Sequence, residues 1–106
     1  MDDQDVIKVL IVDDHRVVRE GISAILNIVE DIEVLGEAKN GQEATEQARA
    51  LLPDVVLMDI SMPLMSGVTA TRAIKREHPH IGIVALTMYE EEQYIYDMIR
   101  AGAKGY

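Results

Sequence analysis

The sequence contains no cysteine, no phenylalanine and no tryptophan. The lack of cysteine excludes a fold held together by disulfide bonds. Without the two largest apolar aromatic residues, a core must be packed from aliphatic and methionine side chains. Apolar residues nevertheless make up 48% of the 106 residues, which is ordinary for a globular protein. We therefore expect one folded domain with a single core rather than a disordered chain.

The chain also lacks long apolar runs and has few basic side chains. No apolar run approaches the roughly 20 residues that span a bilayer, and the start MDDQD is acidic where a signal peptide is basic. Ten basic against nineteen acidic side chains give a formal net charge of −9, which repels phosphate backbones and anionic membranes. These absences predict a cytoplasmic segment that binds neither nucleic acid nor membrane.

Four short apolar runs, rich in β-branched residues, alternate with helical patterns. The predicted strands are Ile7–Val12, Ile32–Ala38, 54–59 and 81–87. The apolar stripes of the predicted helices comprise Val18, Ile22, Ile25, Leu26 and Val29; Ala44, Ala48 and Leu51; Val68, Ala70, Thr71 and Ile74; and Ile95, Met98 and Ile99. Short joints between alternating strands and helices require right-handed crossovers and a parallel sheet with helices on both faces. We therefore predict a doubly wound α/β fold.

Three aspartates and a threonine stand at the ends of predicted strands. Asp13 and Asp14 follow the first strand, Asp59 ends the third, and Thr87 ends the fourth. Ligands of open parallel sheets bind at the carboxyl ends of the strands. If the first and third strands are neighbours, as a 2-1-3-4 order requires, three carboxylates converge there.

Such a cluster has a chemical consequence. At about 5 Å and an effective dielectric near 20, each pair of carboxylates repels by roughly 3 kcal/mol. The cluster must therefore take up protons or a hard cation, and oxygen-only ligands indicate Mg²⁺. A carboxylate is also a nucleophile toward phosphorus when a metal neutralises the incoming oxygens. Asp59 is then the candidate nucleophile, and the Thr87 hydroxyl could donate to a phosphoryl oxygen.

Other interpretations use the same residues. Asp14, or Asp13, is well placed to cap the first helix. A phosphatase or mutase of the haloacid-dehalogenase type carries a second aspartate two residues after its nucleophile. Here the residue two positions after Asp59 is Ser61, and the residue two positions after Asp13 is His15. A mononucleotide binder of the flavodoxin type needs a glycine- or hydroxyl-rich phosphate loop after the first strand, where the segment DDH offers negative charge instead. The histidines are not expected to be metal ligands, because His15 lies on a different connection from His78 and His80.

The segments VLIVDDH, VVLMDISMP, ALTMY and AGAKGY follow one another in the order typical of receiver domains of two-component response regulators, and the chain resembles that family over residues 1–106. The stretches DISMPLMSGVTATRAIK and LTMYEEEQYIYDMIRAGAKGY are similar to the NarL/FixJ (LuxR-type) subfamily, whose members usually carry a C-terminal DNA-binding helix-turn-helix. The resemblance implies a flavodoxin-like receiver fold with strand order 2-1-3-4-5. It also implies a switch that regulates transcription in the full-length protein and is not an enzyme beyond its own phosphorylation and dephosphorylation.

The resemblance assigns roles to individual residues. Asp59 would accept a phosphoryl group from a sensor histidine kinase, with Mg²⁺ as cofactor. The implied metal ligands are Asp14 directly, Asp13 largely through water, Asp59, and the backbone carbonyl of Ser61. Thr87 and Tyr106 would form the switch pair, while Pro63 and Gly67 would shape the loop after the acceptor.

One departure from the family lies at the C-terminal end. The family's lysine stands three residues after the aromatic residue that Tyr106 resembles, so Lys104 is not that lysine. Most of the fifth strand, the fifth helix and any DNA-binding domain would then be missing from this segment. We expect a truncated receiver domain with a bare apolar patch beside the first helix, which favours a homodimer. The alternative function is a phosphorylation-independent dimerisation or interaction module on the same fold.

Overall fold

The computed structural model describes residues 6–59 and 67–86. Within them, four strands alternate with three helices: β1 (Ile7–Val12), α1 (Arg16–Leu26), β2 (Ile32–Ala38), α2 (Gly41–Leu51), β3 (Val55–Asp59), α3 (Gly67–Glu77) and β4 (Gly82–Leu86). The first two predicted strands are confirmed at both ends, and the other two begin one residue later than predicted. The predicted fourth helix and fifth strand lie outside the described residues.

The four strands form one parallel sheet in the order β2-β1-β3-β4. This confirms the predicted α/β fold and the predicted neighbourhood of the first and third strands. Val12 at the end of β1 pairs with Met58 of β3. Because parallel strands run in the same direction, the residues that follow, Asp13 and Asp59, lie side by side at the carboxyl edge.

The core lies where the sheet meets α2 and α3. The last four residues of β1 are buried, as expected for a strand covered on both faces. Small side chains on the helices, such as Ala44 and Ala48 of α2 and Ala70 of α3, are fully buried and let these helices approach the sheet closely. Leu10, Ile74 and Ile83 fill the space between the layers. The core is aliphatic, as the lack of phenylalanine and tryptophan predicted.

Both ends of α2 follow from local side-chain chemistry. The Asn40 side chain accepts a hydrogen bond of 2.8 Å from the Glu43 backbone N–H, which caps the start of the helix. The helix ends at Leu51, and the next residue, Leu52, has a left-handed backbone with a φ of 49°. Pro53 follows directly and cannot continue the helix. The predicted turn at Asn40 and the predicted stop at Pro53 are confirmed.

The start of α1 differs from the prediction. Its cap position is His15, which makes no capping bond with its side chain, so the prediction that Asp14 caps this helix is wrong. Instead, the Asp13 carboxylate accepts a bond of 2.8 Å from the His15 backbone N–H, a tight turn typical of aspartate. The helix ends at Leu26, so Val29, included in the predicted apolar stripe, lies beyond it.

An apolar strip on α1 faces solvent. No residue of α1 is buried, and Val17, Ile25 and Ile28 are exposed by 80%, 66% and 82%. Val17 and Ile25 on α1, with Gly21 between them, and Ile28 just after its end form what we call the α1 apolar strip. The bare apolar patch predicted on the sheet face beside the first helix is a different surface, and it stays a prediction. Among the described residues, no helix has the length and apolar character needed to span a membrane.

Candidate metal centre

Four side chains meet at the carboxyl edge of the sheet. Asp13 and Asp14 follow β1, His15 comes next, and Asp59 ends β3; one ligand atom from each lies within 4.8 Å of those of the others. Asp13 and Asp59 are buried, with only 6% and 9% exposed. The Asp14 side chain is 25% exposed, so the group opens to solvent on that side. The predicted convergence of the three carboxylates is confirmed.

Asp13 is held in place by contacts at three of its polar groups. Its backbone N–H donates to the Ala38 carbonyl of β2 at 3.0 Å. Its own carbonyl accepts a bond of 2.7 Å from the Arg19 guanidinium, and its carboxylate accepts the bond from the His15 backbone. The position of this carboxylate is therefore set by β2, by α1 and by the turn between β1 and α1.

The imidazole of His15 belongs to the same group. Its Nδ1 lies 3.1 Å from Asp13 Oδ1 and 2.9 Å from Asp14 Oδ1. The hydrogen bond to Asp13, and next the negative charge of Asp14, raise the pKa of His15 above its ordinary value. Its place directly after two strand-end aspartates is the sequence signal that could have predicted its membership of this group. The prediction that the histidines are not metal ligands stays a prediction.

The donor atoms fit Mg²⁺. Asp14 Oδ1 is buried without a hydrogen bond, although His15 Nδ1 lies 2.9 Å away. A buried carboxylate oxygen left in this state is costly, and coordination of a cation would satisfy it. Mg²⁺ prefers oxygen ligands and usually binds one or two carboxylates. Asp13, Asp14 and Asp59 together offer three carboxylates, enough for one or two direct ligands and a further contact through water.

Several predicted site residues stay predictions. Ser61, Pro63, Thr87 and Tyr106 lie outside the described residues. Gly67 is described: it is the buried first residue of α3. His78 and His80 contact one another edge to face, with ring centroids 6.2 Å apart, near the start of β4 and so at the other edge of the sheet.

Comparison with known proteins gives the family. The sequence pattern of the response regulator receiver domain family matches residues 9–106, nearly the whole chain. The chain therefore belongs to the receiver domain family of two-component response regulators, a class of signalling domains.

Individual relatives agree. The chain is 48% identical to response regulator GacA of Pseudomonas syringae pv. syringae over 100 residues, which are 94% of this chain and 47% of that protein. It is similar to the structure of a LuxR-family response regulator from Aurantimonas, with a TM-score of 0.91 and 33% identity over 95% of this chain and 72% of that one. It is also similar to a Borrelia burgdorferi CheX-CheY-BeF3-Mg complex, with a TM-score of 0.87 and 25% identity over 98% and 84% of the two chains. The resemblance to LuxR-type regulators is thus confirmed, and the chain spans about half the length of the curated relatives it matches.

Proposed function

We propose that the chain is a phosphorylation-dependent switch in which Asp59 accepts a phosphoryl group from the phosphohistidine of a sensor histidine kinase. The observation that carries this proposal is the convergence of Asp13, Asp14 and Asp59 within 4.8 Å at the carboxyl edge of the sheet. The CheY complex named above contains Mg²⁺ together with BeF3. We infer that Mg²⁺ is the cofactor here as well.

The proposed step is a displacement at phosphorus. A carboxylate oxygen of Asp59 attacks the phosphorus atom, the bond between phosphorus and the donor's imidazole nitrogen breaks, and the electron pair leaves with that nitrogen. When bound, Mg²⁺ neutralises the phosphoryl oxygens and aligns them for in-line attack. Asp14 would bind the ion directly, Asp13 largely through water, and the Ser61 carbonyl would complete the set. No other enzymatic activity is proposed beyond loss of the same phosphoryl group by hydrolysis.

The switch would act through added charge. A phosphoryl group brings roughly two negative charges and new acceptor oxygens, which bias an alternative packing that already exists. Thr87 would donate to a phosphoryl oxygen, and Tyr106 would move with it. GacA is about twice as long as the segment that this chain matches. In a protein of that length, we propose that this change regulates transcription.

Phosphorylation of the chain by a small phosphodonor tests the proposal. We expect the intact mass to rise by one phosphoryl group when Mg²⁺ is present and to stay unchanged when the metal is chelated. Asp59→Asn should abolish the gain. A matched control is Asp54→Asn, because Asp54 stands just before the other end of the same strand, where its carboxylate accepts a bond from the Lys8 backbone at 2.9 Å.

The outcomes separate the two functions. Labelling that survives Asp59→Asn would place the acceptor elsewhere and contradict the proposal. If neither this chain nor a version extended through the family's lysine is labelled, the phosphorylation-independent interaction module becomes the better account. Labelling of the extended version alone would assign the defect to the missing lysine.

A second candidate function is self-association through the α1 apolar strip. Large exposed apolar patches mark sites of contact with other molecules. The homodimer proposed here uses Val17, Ile25 and Ile28, each more than 60% exposed. It is compatible with phosphorylation, since the strip does not include the three aspartates.

A further inference from the structure

Arg19 connects the metal centre to two other parts of the fold. It lies in the first turn of α1, and its side chain is only 15% exposed. Its Nη1 donates to the Asp13 carbonyl oxygen at 2.7 Å, and its Nε donates to Glu37 Oε1 at 3.1 Å. Glu37 belongs to β2. One side chain therefore joins α1, the end of β1 and the neighbouring strand.

The charge of Arg19 is the wrong sign for a direct role at a cation site. By Coulomb's law a guanidinium beside the aspartates repels a divalent ion. However, its bond to Asp13 is made at the main-chain carbonyl and not at the carboxylate, and the Glu37 carboxylate offsets its charge. The contact therefore fixes Asp13 without neutralising the oxygens that face the cluster.

The surroundings of Arg19 do not support a role in binding an anion either. Arg19 lines a surface cavity of about 320 Å³ together with Arg16, Glu20, Glu37, Lys39 and Glu43. Three cationic side chains face three carboxylates there, so the cavity has no excess of positive charge with which to hold an anion. Two donors of Arg19 are already engaged within the fold.

We propose that Arg19 is a positioning residue for the metal centre, an inference that rests on the proposed function. By holding the Asp13 carbonyl against β2 and α1, it fixes the turn that carries Asp13 and Asp14. Ligands held in their binding arrangement lose less conformational freedom when the ion binds. Removal of Arg19 loosens this turn and weakens the affinity for Mg²⁺.

Titration calorimetry of the 106-residue chain with Mg²⁺ tests this role. We expect Arg19→Gln to weaken Mg²⁺ binding about tenfold, the size of effect typical of groups that orient metal ligands. The direction of the change in Mg²⁺ affinity is decisive, because loss of a positive charge would by itself strengthen cation binding. The matched control is Arg16→Gln: Arg16 lies on the same helix, its side chain is 82% exposed, and it pairs with Glu20. That variant should bind Mg²⁺ as tightly as the wild type or slightly more tightly.

The melting temperature without metal, measured on the same variants, separates positioning from general stabilisation. A purely structural role would lower the melting temperature of Arg19→Gln and leave the Mg²⁺ affinity of the folded protein unchanged, which would overturn the proposal. Equal weakening in Arg16→Gln would overturn it too.

Arg19→Lys keeps the charge but not the fork that reaches Asp13 and Glu37 together, and should weaken binding by a smaller factor. If Arg19→Gln does not fold, wild-type affinity in Arg19→Lys contradicts the proposal. A wild-type chain that binds no Mg²⁺ would overturn the proposed function as well, whereas wild-type binding with an unaffected Arg19→Gln would overturn this inference alone.

Discussion

At the scale of single residues, Gly21 is a weak point of α1. It lies inside the helix, and a Cβ built at this position meets no atom within 4 Å. Glycine in a helix interior costs about 0.5–1 kcal/mol relative to alanine, because it loses more backbone freedom on folding. Among residues 6–59 and 67–86 nothing packs against this position to offset the cost, so we expect α1 to be less stable than its apolar pattern suggests.

Gly21→Ala should therefore raise the free energy of unfolding by about 0.5–1 kcal/mol, measured by urea denaturation. Gly36→Ala is the matched control, because its Cβ would lie 3.0 Å from the Leu51 side chain. That side chain must shift to make room, and we expect no gain in stability there. A stability for Gly21→Ala at or below that of the wild type would contradict the prediction.

The residues of the candidate metal centre show what the sequence could predict at this scale. The three aspartates could be predicted because strand ends and acidic side chains are both visible in the sequence. The contact between Arg19 and Glu37 could not, since it joins residues 18 positions apart on elements whose relative placement depends on packing. The same holds for the cap of α1, where the Asp13 carboxylate bonds to the His15 backbone and Asp14 does not cap the helix.

At the scale of elements, α1 combines a strongly amphipathic sequence with the absence of any buried residue. Ile22 and Leu26 are half-buried, while the α1 apolar strip stays exposed. The other two described helices bury small residues against the sheet. The apolar pattern correctly predicted all three helices, but it could not show that one of them leaves part of its apolar side in solvent.

The α1 apolar strip predicts concentration-dependent self-association of the chain, measurable by sedimentation equilibrium. Ile25→Lys should weaken the dimer about tenfold or more, equivalent to about 1.4 kcal/mol, because a charge would replace an apolar contact. Ala24→Lys adds the same charge to an exposed position of the same helix outside the strip. A wild-type chain that stays monomeric up to about 1 mM, or an equal effect of both substitutions, would contradict this use of the strip.

At the scale of the whole molecule, strand order creates the site. Asp13 and Asp59 are 46 residues apart in the chain, and they meet because β1 and β3 are adjacent and parallel. The alternation of strands and helices in the sequence predicted this arrangement, since crossover handedness leaves few alternatives. The cluster of carboxylates at one edge then follows from the fold, and an overall charge of −9 favours the approach of a cation.

We propose above all that this edge of the sheet binds one divalent ion between the tips of β1 and β3. Nuclear magnetic resonance of the chain titrated with Mn²⁺ in place of Mg²⁺ tests it most directly, because a bound paramagnetic ion broadens the signals of nearby amides. We predict broadening centred on Asp13, Asp14 and Asp59, sparing Asp54 and Ile32 at the opposite edge, competed away by Mg²⁺ and lost in Asp14→Asn. Broadening centred elsewhere in the chain, or broadening that Asp14→Asn leaves unchanged, would contradict the account.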